Sequence, residues 1–421
     1  MFSFTSFKST TALIISLCLL LISPSEANAQ IHKAAADSSL IPPPVNTSPG
    51  PEYMPETRKW QGIPGLERSK KGRLFATWYT GGTGEAPGIG RENYVVLVTS
   101  DNDGNTWSNP RLVIDPPGSV RANDPVLWHD PLDRLWLFWS QSFDYFDGRA
   151  GTWAVVCDNS DADSLVWSAP RRLAHGTMMN KPAVLSNGDW LLPNAVWNLD
   201  SKVAEIDSLG RETGRTTNTN VYIKLPKMEK YRHSNVTVST DQGKTWSHRG
   251  GADVPNRSYD EHIVIERRDG SLCMLVRTEY GIGQSFSKDC GVTWSPGEPS
   301  MFPGPNARFC MKRLSSGKLL FVNHHNFWNS ELKKVRVNLT AFLSDDDGKT
   351  WYGGLLLDDR ENVSYPDCVE AKDGRIYMIY DRSRYSDKEI LIAVFREADV
   401  CAGKIVSPDA RLRVLVDKAG K

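Results

Sequence analysis

The sequence has no excess of charge of either sign. Lys and Arg together number 50, and so do Asp and Glu. A neutral balance gives no electrostatic footprint for nucleic acid, so nucleic acid is not an expected partner. An anionic ligand would have to be held by a local cluster of cations.

Long apolar runs are also scarce. The most apolar stretch, residues 12–22, is too short to span a bilayer comfortably, so no membrane span is expected. Lys8 precedes this stretch and Ala27-Asn28-Ala29 follows it, which is the order typical of a secretory signal. Residues 1–29 are therefore expected to direct export to the periplasm or the cell exterior, with a membrane anchor as the alternative. No Cys stands at the cleavage point, so lipid attachment is not indicated.

Cysteine pairs with metal-ligand spacing are missing. No Cys-x-x-Cys motif occurs, so the sequence supports no zinc site, and no other metal or cofactor is expected. In an exported protein some of the remaining cysteines could pair. These are Cys157, Cys273, Cys290, Cys310, Cys368 and Cys401.

An eight-residue phrase with the pattern Ser-x-Asp-x-Gly-x-Thr-Trp recurs along the chain. Its four copies are Ser100–Trp107, Ser239–Trp246, Ser287–Trp294 and Ser344–Trp351, of which the first carries Asn102 in place of Asp. In such a turn the Asp caps backbone N–H groups, the Gly supplies a positive φ, and the Trp packs back between strands. Unrelated Asp/Gly hairpins are the alternative, but copies this similar favour a repeat architecture.

Six tight turns between β-rich runs predict six hairpins. They are Lys71-Gly72, Asp130-Pro131, Asn187-Gly188, Asp269-Gly270, Ser316-Gly317 and Asp373-Gly374. We therefore predict an all-β, six-bladed propeller with four-stranded blades over residues 56–415, after a Pro/Ser/Ala-rich linker at 30–55. Blade 3 carries a polar insertion at 199–230, and blade 6 is expected to close the ring against the N-terminal segment.

Residues sixteen apart across each hairpin are expected to lie at the same mouth of the central channel. The predicted pairs are Gly62–Trp78, Asp124–Ser140, Asn180–Val196, Glu261–Arg277, Arg308–His324 and Tyr365–Asp381. A polar ring follows, comprising Arg121, Asn123, Asp124, Asn180, Lys181, Tyr259, Asp260, Glu261, His262, Arg277, Arg308, His324, His325 and Tyr365. A solvated rim is the alternative, but this set of titratable groups favours a ligand site. Its predicted substrate-binding members include Arg121, Asn180, Lys181, Arg308 and His324.

The repeated phrase resembles the Asp-box of the sialidase superfamily, whose fold is a six-bladed β-propeller. The resemblance implies that Tyr365, within Ser364-Tyr365-Pro366-Asp367, matches a nucleophilic Tyr and that Glu261 matches the Glu assisting it. It also implies that Arg277 and Arg336 match two of three arginines that bind the substrate carboxylate.

Two features depart from the sialidase pattern. The first arginine of that family lies in an Arg-Ile-Pro motif, where this chain has Gly62-Ile63-Pro64. The loop at 81–93, which should carry an acid/base Asp, holds Glu85 and Glu92 but no Asp. Either Glu is a candidate acid, and Arg91 is a candidate replacement for the lost arginine.

A carboxylate clamp and a Tyr without the glycosidic acid suit β-elimination from a uronic acid. Arginines neutralise the uronate, a Tyr or His removes the C5 proton, and a second group protonates the C4 leaving group. Tyr365 and His262 are the leading base and acid candidates. The chain is also similar to a sialidase-like branch that includes the ulvan oligosaccharide dehydratase, which implies an anionic oligosaccharide as substrate. A sialidase-type exo-glycosidase and a non-catalytic carbohydrate-binding propeller are the alternatives.

Overall fold

The computed structural model describes residues 38–82, 84, 93–118, 120–143, 149–197, 231–325 and 335–420. These residues form six antiparallel sheets, and the predicted six-bladed propeller is confirmed. Several predicted features lie outside the described residues: the signal at 1–29, the insertion at 199–230, and Glu85, Arg91 and Glu92. No helix in the described part of the chain combines the length and the apolar character needed to cross a membrane.

Each blade uses a continuous stretch of chain. Blade 1 contains β1 (Val45–Asn46), β2 (Gln61–Arg68), β3 (Leu74–Thr80), β4 (Tyr94–Ser100) and β5 (Leu112–Ile114). Blade 2 contains β6 (Val120–His129), β7 (Leu135–Phe143), β8 (Gly151–Cys157) and β9 (Arg171–His175). Blade 3 contains β10 (Thr177–Met178), β11 (Ala183–Val184), β12 (Trp190–Ala195), β13 (Ser234–Ser239) and β14 (Ser247–Ala252).

The second half of the ring repeats the pattern. Blade 4 contains β15 (Ile263–Glu266), β16 (Leu272–Thr278), β17 (Gly281–Ser287) and β18 (Glu298–Pro303). Blade 5 contains β19 (Cys310–Arg313), β20 (Leu319–His324), β21 (Leu339–Ser344) and β22 (Tyr352–Asp358). Blade 6 contains β23 (Val363–Glu370), β24 (Ile376–Arg382), β25 (Glu389–Phe395) and β26 (Arg411–Lys418), with the short helix α1 (Glu397–Ala402) before β26. Three 3-10 turns precede β2 in the chain: Ser38–Leu40, Pro51–Tyr53 and Pro55–Thr57.

The repeated phrases form the predicted turns, and each joins the last two strands of its blade, in blades 1, 3, 4 and 5. In the second copy, Thr245 N and Ser239 Oγ donate to Asp241 Oδ1 over 2.9 and 2.8 Å. Hydrogen bonds from Thr245 and Ser239 hold the pKa of Asp241 down at about 2. Gly243 has φ 82°, and Trp246 packs against Trp136 and Trp190, with ring centroids 6.2 and 6.4 Å apart. The phrase therefore seals the seam between blades 2 and 3.

Strands β2, β6 and β23, in blades 1, 2 and 6, share a two-residue bulge. Its members are Ile63-Pro64, Asp124-Pro125 and Tyr365-Pro366, in which the residue before Pro has φ 60°, 50° and 55° respectively. Pro has no N–H to donate to the ladder, so pairing skips two residues and resumes beyond it. This bulge shifts three of the predicted pairs by one residue. The observed partners are Gly62–Tyr79, Asn123–Ser140 and Ser364–Asp381.

The ring closes between blade 6 and the N-terminal segment. Asp381 Oδ2 accepts from Ile63 N over 2.7 Å, and Asp367 Oδ2 accepts from Leu66 N over 2.8 Å. At the outer edge, Arg58 pairs with Asp417 at 3.1 Å. Side-chain carboxylates of blade 6 thus satisfy N–H groups of β2 at the one seam where chain continuity does not hold neighbouring blades together.

Candidate active site

Tyr365, Glu261 and Arg277 form a buried cluster at the mouth where the first strands begin. Tyr365 Oη donates to Glu261 Oε1 over 2.9 Å, and Arg277 Nη1 donates to the same oxygen over 2.6 Å. Arg277 Nη1 also lies 3.1 Å from Tyr365 Oη. Glu261 Oε2 has no hydrogen-bond partner within the described part of the chain. One carboxylate oxygen therefore organises the cluster while the other can accept a bond from a ligand.

Strained backbone aims Glu261 at this cluster. Tyr259, Asp260 and Glu261 have φ 59°, 56° and 42°, a left-handed run of three non-glycine residues. Each such residue costs about 1–3 kcal/mol and persists only where the surroundings hold it. Here Arg277 N donates to Asp260 O over 2.8 Å, and Ser258 N donates to Arg277 O over 3.0 Å.

Asp260 itself faces away from Tyr365 toward the blade 3–blade 4 seam. Its carboxylate accepts from Ser234 Oγ over 2.7 Å and lies 3.1 Å from Arg257 Nε. Burial raises the pKa of Asp260 to about 6, against the opposing effect of Arg257. This carboxylate therefore anchors the strained turn, whereas its neighbour Glu261 forms part of the site.

Guanidinium groups surround the Tyr365 ring. The Cζ atoms of Arg384, Arg336 and Arg308 lie 4.2, 5.7 and 6.0 Å from the ring centroid. Together with Arg277, these cations stabilise negative charge on the phenol oxygen. Tyr365 occupies this position because its left-handed φ before Pro366 turns the side chain out of the regular β23 ladder.

Arg336 has no carboxylate partner within the described part of the chain. It donates to Ser364 Oγ over 3.1 Å and to the carbonyl of Asn306 over 3.0 Å, and it makes no ion pair with any described residue. Burial, and the nearby positive charge of Arg277, lower the pKa of Arg336. Arg277 differs, because the carboxylate of Glu261 more than offsets burial and raises its pKa. An incoming anion therefore gains more from Arg336 than from Arg277.

Arg384 was not among the residues predicted from the sequence. Its side chain crosses the backbone of Gly62, so that a Cβ on Gly62 would lie only 2.4 Å from Arg384 Cδ. Its Nε donates to Asp381 Oδ2 over 2.9 Å. The sequence showed only that Gly62 stands where the resemblance calls for arginine. It did not show that Arg384 would fill the space, because Gly62 and Arg384 come together only when the ring of blades closes.

A pocket of about 320 Å³ opens beside Arg336 and Arg384, two of the arginines that lie over the Tyr365 ring. Its lining residues are Arg336, Asn362, Ser364, Ser383, Arg384, Tyr385 and Ser386. Two guanidiniums, four hydroxyls and one amide thus line the space, and none of the described lining residues is acidic. Hydrogen-bond donors of this kind suit a carboxylate or another oxyanion.

Asn180 and Arg308 reach the cluster from blades 3 and 5. Asn180 Nδ2 donates to the carbonyl oxygens of Glu261 and His262 over 2.8 and 3.1 Å. Arg308 Nε donates to Asn180 Oδ1 over 2.9 Å. These contacts make Asn180 a positioning residue for both Glu261 and Arg308.

The two predicted histidines are held by backbone carbonyls. His262 Nε2 lies 2.7 Å from Asn235 O, and His324 Nε2 lies 2.8 Å from Val363 O. A carbonyl oxygen can only accept, so each Nε2 carries the proton. Burial lowers the pKa of each ring to about 4, which keeps both rings neutral near pH 7. This arrangement leaves His262 no spare proton to give a leaving group, contrary to the acid role expected for it.

Lys181 and Arg121 both make hydrogen bonds to neighbouring segments of the propeller. Lys181 Nζ donates to Leu66 O, Leu127 O and Glu67 Oε1 over 2.6, 2.7 and 2.8 Å. It lines a second cavity of about 470 Å³ toward the hairpin-turn end of the channel. Arg121 Nε donates to Asn93 Oδ1 over 2.8 Å. Of these two predicted ring members, Lys181 joins neighbouring blades toward the hairpin-turn end of the channel, and Arg121 joins blade 2 to Asn93 just before β4.

Comparison with known proteins places these observations in a family. The profile of the BNR repeat-like domain matches residues 72–378. A Hadza microbial sialidase is similar in structure, with TM-score 0.58 and 17% identity over 81% of this chain and 66% of that chain, just under two thirds of its length. No sequence among curated proteins matches.

Two further solved structures share the fold. An intramolecular trans-sialidase from Ruminococcus gnavus, in complex with oseltamivir carboxylate, has TM-score 0.57 and 14% identity over 85% of this chain and 98% of that chain. A protein of unknown function from Dyadobacter fermentans has TM-score 0.55 and 17% identity over 79% of this chain and 93% of that chain. Identities this low show the propeller and leave the activity to be argued from the site.

Proposed function

The chain belongs to the BNR repeat-like domain family, and from that premise we propose that it is a carbohydrate-active enzyme. Its proposed reaction is β-elimination of water. Its proposed substrate is the uronic acid at the non-reducing end of ulvan-like oligosaccharides. One observation carries the proposal. The hydroxyl of Tyr365 is bonded to Glu261 Oε1 over 2.9 Å beneath several guanidiniums, with an oxyanion pocket alongside. The similar trans-sialidase solved with oseltamivir carboxylate supports a carboxylate-bearing ligand.

The arginines make the C5 proton removable. Charge-assisted bonds from Arg336 and its neighbours to the uronate stabilise the enolate-like charge that develops when that proton leaves. Because Arg336 has no carboxylate partner among the described residues, this stabilisation does not require breaking an existing ion pair.

Tyr365 and Glu261 together can carry out every proton transfer that the reaction needs. Glu261 takes the phenol proton, and the Tyr365 phenolate then removes the C5 proton. The electron pair of the C5–H bond forms the C4–C5 double bond as the C4–O bond breaks. Where O4 lies on the same ring face as H5, Tyr365 passes the proton to the departing hydroxide, which leaves as water. Glu261 then returns its proton to Tyr365.

A sialidase-type exo-glycosidase is the second candidate. The Tyr365–Glu261 hydrogen bond favours it too, since a Glu that accepts the phenol proton also activates Tyr as a nucleophile. Glycoside hydrolysis additionally needs a proton donor at the leaving oxygen. His262 does not supply that donor, because its ring is neutral and its Nε2 proton is hydrogen-bonded to Asn235 O.

Mass spectrometry of a uronate-terminated ulvan oligosaccharide after incubation tests the proposal. Loss of one water with unchanged chain length and a new ultraviolet-absorbing uronate supports dehydration. Chain shortening with an unsaturated end shows a lyase, and release of a saturated sugar shows a hydrolase. Binding without any product shows a carbohydrate-binding propeller. Each of the last three results rejects the dehydratase.

A further inference from the structure

We propose that Arg384 is a substrate-carboxylate ligand that reaches the site through space left by Gly62. The inference rests on the proposed function for the nature of the ligand, an acidic sugar at a chain end. It assigns the position of that carboxylate to the pocket between Arg336 and Arg384, rather than to Arg277.

Sterics make Gly62 and Arg384 a matched pair. A Cβ at position 62 would lie 2.4 Å from Arg384 Cδ, 2.8 Å from Cγ and 3.0 Å from Nε. Real Cβ contacts are longer than this, so any side chain at position 62 displaces the stem of Arg384. Gly62 leaves blade 1 without the arginine that the resemblance calls for, and the same glycine admits an arginine from blade 6.

Asp381 fixes the position of Arg384 relative to the strand that carries Gly62, across the seam between blades 6 and 1. Its Oδ2 accepts from Arg384 Nε over 2.9 Å and from the backbone N of Ile63 over 2.7 Å. The same oxygen thus fixes the arginine stem and the strand that carries Gly62. The guanidinium lies 4.2 Å from the Tyr365 ring centroid, beside the proposed base.

The chemistry of the pocket matches a sugar carboxylate. Arg336 has no carboxylate partner in the described ranges, and the Ser364, Ser383 and Ser386 residues add hydroxyls to the lining. Its volume of about 320 Å³ suits one terminal sugar at the lower end of known ligand sites. Tyr385, which is 57% exposed, offers an aromatic face at the rim.

Binding of glucuronate to the full protein tests the assignment without relying on turnover. Its methyl ester serves as the uncharged probe, and titration calorimetry gives both affinities. We expect Arg384→Gln and Gly62→Ala each to weaken glucuronate binding by about 10–100-fold, since each loses a charge-assisted contact. Binding of the ester should change little.

Gly50→Ala is the matched control, because the atoms nearest to a Cβ there belong to the flexible, exposed carboxylate of Glu52. The double variant Gly62→Arg with Arg384→Gly moves the cation to the other blade and should recover most of the glucuronate affinity. Thermal unfolding checks that every variant is folded.

The outcomes separate this inference from the proposed function. If Gly62→Ala and Arg384→Gln bind glucuronate as the wild type does while dehydration proceeds, Arg384 is not a ligand and the reaction stands. If both lose affinity and the double variant recovers it, the assignment holds even when no unsaturated product forms.

Discussion

Tyr365 owes its chemical setting to backbone conformation as much as to its neighbours. A left-handed φ of 55° before Pro366 takes it out of the β23 ladder and turns its hydroxyl toward Glu261 and Arg277. A regular strand would have pointed its side chain toward one face of the blade instead. Three features together therefore determine the surroundings of Tyr365: a bulge, a buried ion pair and a ring of cations.

Tyr365→Phe isolates the role of the hydroxyl. It should lower kcat by about 10²–10⁴-fold, the usual contribution of a positioned acid or base, with little change in unfolding temperature. Tyr377→Phe is the control, because Tyr377 Oη donates to Asp103 Oδ1 over a similar 2.9 Å near the blade 1 turn. Steady-state kinetics in which the two variants lose equal activity would contradict a catalytic Tyr365.

Arg277 and Arg336 should differ in what their loss does. Arg277→Ala leaves Glu261 buried without its ion pair, so unfolding free energy should fall by about 3–5 kcal/mol. Among the described residues Arg336 hydrogen-bonds only a hydroxyl and a carbonyl, so Arg336→Ala should fold almost as stably yet lose kcat/KM. Denaturant titration and kinetics on both variants check this, and equal stability losses would refute it.

His262 and His324 predict an acid-sensitive fold. Burial lowers the pKa of each to about 4, below the ordinary 6.5, so the unfolded state binds more protons between these values. Their contribution to stability is complete above pH 6.5 and is lost as pH falls toward 4, by up to about 1.4 kcal/mol per pH unit for each ring. The denaturant concentration at the unfolding midpoint should therefore fall as the pH is lowered from 6.5 toward 4. A double His→Asn variant with the same slope would show that other groups cause it.

At the scale of elements, local chemistry made the turns predictable. The hairpin turns and the repeated Ser-to-Trp phrases depend on Gly, Asp and Ser within a few residues of one another, and each forms where the sequence placed it. The bulges were missed because a left-handed residue before Pro is unusual and the ladder shift appears only in the paired strand. Glu261 and Tyr365 were predicted by resemblance, whereas the Gly62–Arg384 contact depends on closure of the whole ring.

Gly243→Ala tests the packing role of the repeated turn. Its φ of 82° costs any other residue about 1–2 kcal/mol, and a Cβ would also lie 2.8 Å from Trp136 Cζ2. Gly188→Ala carries a similar φ of 90° with nothing within 4 Å, so it measures the conformational cost alone. We expect Gly243→Ala to lose about 1–3 kcal/mol more unfolding free energy than Gly188→Ala. Equal losses would show that the Trp seam adjusts freely.

At the scale of the whole molecule, the seam between blades 6 and 1 contributes both to closure of the ring and to the candidate active site. Asp381 and Asp367 each accept a backbone N–H of β2, from Ile63 over 2.7 Å and from Leu66 over 2.8 Å. Only Asp381 also holds Arg384, whereas Asp367 lies 3.2 Å from Lys181 in the other half of the channel. One carboxylate thus closes the ring at the site, and the other closes it away from the site.

Asp381→Asn and Asp367→Asn separate these two roles with the same substitution. Each should lower unfolding free energy by about 1–3 kcal/mol, because a buried charge-assisted acceptor is weakened at the closing seam. Only Asp381→Asn should also raise KM for the acidic oligosaccharide, since only that variant releases the stem of Arg384 beside Gly62. Denaturant titration measures the first effect and steady-state kinetics the second. If both variants raise KM equally, substrate affinity depends on closure of the ring in general. If neither does, the seam and the site are independent, and the anion pocket does not need Asp381 to hold its arginine.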